Sequence, residues 1–194
     1  MRVLLDTSYL YDLILPMQLD LESCGVRSFR ESDAAELARH ADNRNVWLQL
    51  RDRFPHPYSI DDARGFIAFA SGAEPETAFA VTVDGQPVGS IGVVLGEDVE
   101  RCSAEVGYWL GESYWGRGIA TRALVGFTRY AFAAYGLERL FAVPLAANTA
   151  SCRVLEKAGY RLEGRMRRSA VKDGVVHDQL LYAIVCGDGA FARA

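Results

Sequence analysis

The sequence predicts an α+β fold with a mixed, mostly antiparallel central sheet flanked by helices. Three observations carry that prediction. "TAFAVTV" and "VGSIGVVL" (77–83 and 88–95) are strand-like runs joined by "DGQP", and a third run, "CSAEVGYWL" (102–110), follows. An apolar period of 3.6 then extends from about residue 116 to Tyr135, where Gly136 stops it. The chain closes on "YRLEGRMRRSAV" and "VVHDQLLYAIV", a strand pair around "KDG".

The remaining elements are justified in order. "MRVLLDTSYLYDLI" opens on a strand-like run to Asp6 and resembles the start of a PIN-type nuclease. That architecture needs further acidic residues at later strand ends, and the chain does not supply them. The segment also lacks the basic start and small-residue cleavage site of a signal peptide. Residues 1–16 therefore read as an extension or a packed extra strand, and 17–194 as one domain. "VRSF" (26–29) is a short strand. In "ESDAAELARHA", Asp33 is a candidate N-cap, with Leu37 and Ala41 on the inner face. "NRNVWLQLRDRFPHPYS" is a short helix running into a proline-interrupted loop. Ser59 and Asp62 have the spacing of a capping box before a stripe of Ile60, Ala63, Phe66, Ile67 and Ala70, ended by Gly72. The long helix buries Ile119, Ala123, Phe127 and Ala131, with Leu124 and Tyr135 beside them. It turns Arg117, Thr121, Arg122, Thr128 and Arg129 outward. "RLFAVPL" is a strand and "SCRVLEKAG" a short helix ending at Gly159.

Composition narrows the function classes. A net charge of −4 excludes the broad basic footprint of a general nucleic-acid binder. No apolar run approaches the roughly 20 residues needed to span a bilayer. Cys24, Cys102, Cys152 and Cys186 form no CxxC pair, and His40, His56 and His177 complete no metal-ligand spacing, so no metal is expected. Buried free thiols in a reducing cytosol are the expectation, hence a cytoplasmic protein.

The chemistry concentrates in "SYWGRGIATRAL" (113–124), where a strand hands over to the long helix. The first helical turn presents unpaired N–H groups and the positive end of the dipole. Gly116 and Gly118 remove side chains, so an anionic phosphate can approach the backbone. A turn that merely closes a tight connection would look the same. No Gly-Lys-Ser/Thr follows, which excludes a P-loop. Thr121 stands where the dinucleotide fingerprint needs its third glycine.

"AEVGYWLGESYWGRGIATRAL" (104–124) resembles the coenzyme-A-binding segment of the GNAT acetyltransferases, and in particular the RimJ/RimL-like branch that modifies ribosomal-protein N-termini. The resemblance continues through "NTASCRVLEKAGYRLEG" (148–164) and "DGVVHDQLLYAI" (173–184). Upstream it includes "VRSFRESDAAEL" and "RFPHPYSIDDARGFI", so it covers roughly 24–186. The general GNAT signature often has Gln or Arg where Trp115 stands, and an aromatic there is usual in the Rim-like branch. The resemblance implies a GNAT fold and transfer from acetyl-CoA, as co-substrate, to an amine by direct attack in a ternary complex. The backbone of Gly116, Arg117, Gly118, Ile119, Ala120 and Thr121 would cradle the diphosphate. The backbone of Tyr108, Trp109 and Leu110 would pair with the pantetheine arm like an added strand. Asn148 would hydrogen-bond that arm, or simply cap a helix.

The catalytic candidates are Glu105, Ser151 and Asp178. Alternation puts Ser103, Glu105, Gly107 and Trp109 on one strand face, so Glu105 is the first candidate base and Asp178 the second. Both also fit structural roles. Where many GNAT enzymes have a leaving-group tyrosine, this chain has Leu155. The Rim-like serine is present as Ser151, which would hydrogen-bond the departing sulfur, cap "SCRVLEKAG", or both. A glutamate that serves as base in some Rim-type enzymes falls at Ala170. "DRFPHPY" (52–58) is expected near the acceptor entrance, with Phe54, His56 and Tyr58 facing a pocket or packing on their own domain. Three functions stay open: acetylation of a protein α-amine, acetylation of a small amine, and non-catalytic acyl-CoA binding. An open groove flanked by acidic residues, a closed pocket, and a pocket without polar groups near the thioester would distinguish them. A homodimer is neither required nor excluded.

Overall fold

The structure is a computed structural model that describes residues 17–188 and 191. The expected extension over 1–16 lies outside the described residues. Among the described residues, eight strands form one sheet in the order β1-β2-β3-β4-β5-β6-β8-β7. The sheet is antiparallel except where β5 and β6 run parallel.

The chain enters through β1 (Gln18–Leu21), which has no counterpart in the sequence reading, and β2 (Cys24–Arg27), which begins two residues before the expected strand. The next helix, α1 (Ala34–Ala41), follows Asp33, but the Asp33 side chain does not cap it. Its carboxylate is instead paired in a fork with Arg27 at 2.7 and 2.8 Å and accepts from the Arg30 N–H. A buried guanidinium without a partner costs far more than a missing cap, so the ion pair wins. Asn43 caps α2 (Arg44–Trp47), its side chain accepting from the N–H groups of Asn45 and Val46. The expected box forms at α3 (Ile60–Ser71): Ser59 Oγ accepts from Asp62 N, and the Asp62 carboxylate accepts from Ser59 N. Ala63, Ile67 and Ala70 are buried, whereas Ile60 is 41% exposed. As the first residue of α3, it stands before the stripe meets the sheet.

The hairpin β3 (Ala78–Val83) to β4 (Gln86–Leu95) turns through Asp84 (φ 50°) and Gly85 (φ 77°). Two successive positive φ values match the twist of the flanking strands, and aspartate and glycine tolerate them. Strand β5 (Ser103–Leu110) leads to α4 (Ile119–Tyr135), three residues shorter at its start than the periodicity suggested. Then come β6 (Arg139–Ala142), α5 (Thr149–Lys157), β7 (Arg161–Lys172) and β8 (Val175–Val185).

Two apolar clusters hold the layers. On one sheet face, α4 and α5 bury Ala123, Leu124, Phe127, Ala131 and Leu155 against Phe79, Ile91, Val106 and Leu140. On the other, α1 and α3 bury Leu37, Ala41, Ala63 and Ile67 against Phe29 and Ala80. Phe79 and Ala80 are adjacent in β3, so strand alternation separates the clusters. Each fully buried large side chain, such as Phe127, contributes roughly 1.5–3 kcal/mol. Thr128 was expected to face outward but is fully buried. It lies four residues after Leu124, inside the buried arc, and Tyr160 satisfies its hydroxyl at 2.8 Å. The cysteines are free; Cys24 and Cys152 are buried, but Cys102, in a turn, is exposed and Cys186 is half-buried, against the expectation for both.

Candidate functional site

The sheet splits between its two parallel strands. β6 pairs with β5 only from Ser103↔Arg139 to Glu105↔Phe141. Beyond that point β5 stays with β4 as far as Gly89↔Leu110. The chain after β6 follows β8 instead: Leu180 N donates to Pro144 O, and Ala146 N to Asp178 O. A cleft of about 620 Å³ opens in the gap. Gly111 N donates to Val88 O, which fixes the ladder's alternation. The N–H and C=O groups of Val106, Tyr108 and Leu110 therefore point away from β4, into the gap, while those of Trp109 point at β4. The Leu110 carbonyl already accepts from the Trp115 indole at 2.8 Å. Tyr108 and Val106 thus offer the open strand edge.

At the outer end of β5 the glycine turn meets α4. Gly116 (φ 74°) and Gly118 (φ 76°) are both left-handed, which explains glycine at each. Gly118 is the N-cap residue and supplies no side-chain cap, so the N–H groups of Ile119, Ala120 and Thr121 are left to a ligand or solvent. All three line the cleft. Arg153 and Lys157, one turn apart on α5, line it too and add positive charge. The Arg117 side chain lies elsewhere, over the Tyr114 ring at 5.3 Å, and is not part of the lining. Asn43 and Asn45 donate to Glu112, tying α2 to this turn.

Asn148 and Ser151 both line the cleft, and of these two cap candidates the structure selects Asn148. The helix begins at Thr149, and Asn148 is its cap, accepting from Ser151 N at 3.0 Å. Ser151 sits in the first turn with its hydroxyl free of capping. The Ser151 Oγ lies 2.9 Å from the Tyr108 hydroxyl. Burial pushes the Tyr108 phenol up to about 12, against the opposing bond from Ser151.

Glu105 lies at the last β5–β6 pair and lines the cleft, where the Arg51 guanidinium donates to its carboxylate. Asp178 is not in the lining; it accepts from Arg168 N and Arg165 Nε at 2.7 Å each. These bonds, the backbone one foremost, hold its carboxyl below the usual range. Leu155 is fully buried in the core, and Ala170 is paired with His177 in the hairpin. Phe54 packs on Tyr58 and Trp109, and His56 stacks on Trp47, so this loop buttresses its own domain. The cleft wall there comes instead from Val46, Gln49, Leu50 and Arg51, which sequence reasoning missed. Only a short helix with no apolar period announces them.

The fold and cleft define a class: an α+β domain whose split sheet opens a cleft, with bare helix amides and basic side chains lining it. Residues 24–161 match the Acetyltransferase (GNAT) domain, and the chain belongs to that family. An N-acetyltransferase of Bacillus subtilis (strain 168), YoaA, uncharacterized by its name, is 37% identical over 82 residues, 42% of this chain and 46% of that protein. The chain spans about half the length of the first curated relatives it matches. Among solved structures, Mycobacterium smegmatis RimJ in complex with CoA-disulfide has 28% identity and a TM-score of 0.77, over 89% of this chain and 88% of that one. A GNAT-family acetyltransferase from Bacillus anthracis has 25% identity and a TM-score of 0.76, over 87% and 98%.

Proposed function

We propose that the protein is an acetyl-CoA-dependent N-acetyltransferase whose acceptor is the α-amine of a protein N-terminus. The observation that carries this reading is the continuity of the cleft. It joins the bare amides of α4, the open edge of β5 and the Glu105 carboxylate in one gap. Five residues of extended strand, about 17 Å, separate Leu110 from Glu105. The diphosphate sits on the amides of 116–121, with Arg153 and Lys157 beside it. The pantetheine amides add to the edge at Tyr108, and the Asn148 side-chain amide donates toward that arm while its oxygen caps α5. The acetyl group then lies near Glu105 and Ser151. Bound acetyl-CoA supplies an activated acyl group; the chain's task is to deprotonate the amine and steady the sulfur.

Glu105 is the base in this account. An incoming ammonium replaces the Arg51 guanidinium as its cationic partner, then gives it a proton. Asp178, already holding Arg165 and the Arg168 amide, shapes the break in the β7–β8 register between Met166 and Ala170 instead of accepting a substrate proton. Ser151 donates to the departing sulfur. The protein α-amine is favoured by the RimJ/RimL-like residues that line the cleft, Tyr108 to Leu110, Tyr114 to Gly116, Gly118 to Thr121, Asn148 and Ser151. The RimJ likeness, at 28% identity, points the same way.

The test is a competition. Free-amine peptides, the same peptides with blocked N-termini, amino acids, a polyamine and an aminoglycoside are offered with acetyl-CoA, and products are read by mass spectrometry. The reading requires the highest kcat/KM with free-amine peptides and none with blocked ones. A small amine that outcompetes every peptide overturns the acceptor assignment.

A further inference from the structure

The strand that edges the cleft carries a second function in its side chains. Tyr108 and Glu105 are three residues apart in β5, so they project from opposite sheet faces. Glu105 meets Arg51, from the segment after α2. Tyr108 packs beside the α4–α5 cluster and reaches Ser151. The proton acceptor and the group facing the sulfur therefore stand on opposite sides of the strand.

Ser151 is held at several points. Its N–H donates to Asn148 Oδ1, and the Tyr108 hydroxyl lies 2.9 Å from its Oγ and 3.3 Å from its carbonyl oxygen. A serine hydroxyl has one proton and rotates freely unless something fixes it. We propose that Tyr108 is a positioning residue: its phenol donates to Ser151 Oγ and so turns the serine's own proton into the cleft, toward the departing sulfur. This rests on the reading of Ser151 as the donor to sulfur. A buried phenol remains protonated at neutral pH, and in this arrangement its one proton goes to the nearer acceptor, Ser151 Oγ at 2.9 Å, ahead of the carbonyl at 3.3 Å. A hydroxyl that accepts one hydrogen bond is polarised into a better donor of another. With Leu155 buried where the resemblance places a tyrosine, the phenol comes from β5 instead and acts through the serine.

The chemical balance is simple. The ammonium first gives Glu105 one proton, which Glu105 passes to water; the neutral nitrogen then forms the C–N bond, and the second proton it sheds passes to Glu105 and on to water. The C–S bond breaks with its electron pair moving to sulfur. Ser151 donates a hydrogen bond to that thiolate without losing its proton, and the thiolate takes a proton from water on leaving.

The test is a double-mutant cycle on Ser151→Ala and Tyr108→Phe, with single-turnover rates, acetyl-CoA affinity and melting measured for each protein. Tyr108→Phe keeps the ring and its packing. Ser151→Ala should slow transfer by about 10- to 1,000-fold, the lower range for a positioned donor. Tyr108→Phe should slow it by about 3- to 10-fold, the worth of one hydrogen bond. The double variant should be no slower than Ser151→Ala alone, with acetyl-CoA affinity unchanged throughout. Losses that multiply would overturn Tyr108's action through Ser151, as would a slow Ser151→Ala beside a normal Tyr108→Phe. A Ser151→Ala protein at the wild-type rate would sink the underlying assignment of Ser151 itself.

Discussion

Replacing Gly118 by alanine separates the ligand-binding role of the glycine turn from its backbone role. The residue has φ 76°, and an added Cβ would lie 3.1 Å from the Arg122 guanidinium, which bonds Arg117 O at 3.2 Å. That guanidinium is the end of a flexible, exposed side chain and can move. The strain of a left-handed alanine remains, about 1–2 kcal/mol. For a chain of this length it lowers the melting temperature by roughly 2–8 °C. Gly136, at the other end of the same helix, has φ 62° and open space around a would-be Cβ, so Gly136→Ala imposes similar strain far from the cleft. The two variants should melt alike. Calorimetry with coenzyme A should separate them. Gly136→Ala should bind as wild type. Gly118→Ala should lose at least one amide contact to a charged oxygen, about 1.5–3 kcal/mol, or roughly 10- to 150-fold in Kd. Equal affinities in the two variants would refute the placement of the diphosphate on this turn.

Three further outcomes follow from the geometry. Asn148→Ala removes the α5 cap and should cost about 1 kcal/mol by chemical denaturation, a loss that Ser151→Ala should not reproduce. Glu105→Gln should lower turnover with little change in acetyl-CoA affinity and recover in part at high pH, where more amine is neutral. Wild-type rates across pH would remove Glu105 from the role. Asp178 has a lowered carboxyl pKa, so its stabilising contribution is present above the unfolded value near 4 and is lost as pH falls through the folded one. Melting curves should accordingly place Asp178→Asn below wild type at neutral pH and converge with it in acid; a constant gap would contradict this.

Residues whose place follows from local rules were legible in the sequence. The Asp84–Gly85 turn, the Ser59–Asp62 box and the buried stripe of α4 each need only neighbours within one turn or one strand step. The turn at Gly116 and Gly118 was legible as bare backbone, but not the left-handed conformation that calls for glycine at both. What escaped depends on distant partners. Asp33 fits an N-cap until Arg27 is buried beside it, and Thr128 looks exposed until Tyr160 supplies its partner. Ser151 and Asn148 both suit a cap, and only the observed start of α5 decides between them. Arg51 reaches Glu105 across 54 residues of sequence, and Tyr108 reaches Ser151 across 43, separations that carry no periodic signal. The open edge at Tyr108 was expected only through the family resemblance, and the parting of β5 from β6 was not read at all, because no pattern within either strand marks where pairing stops.

The most direct test of the account is a single-turnover experiment that follows thiol release and the whereabouts of the acetyl group together. The protein is mixed with acetyl-CoA, with and without a free-amine peptide, and both proteins and peptides are weighed by intact-mass spectrometry. Direct attack across the split sheet predicts thiol release only with the peptide present, the acetyl group on its α-amine, and an unmodified protein at every time. Acetyl-CoA bound tightly with no thiol released whichever amine is offered, or an acetyl group accumulating on the protein before the peptide, would contradict it.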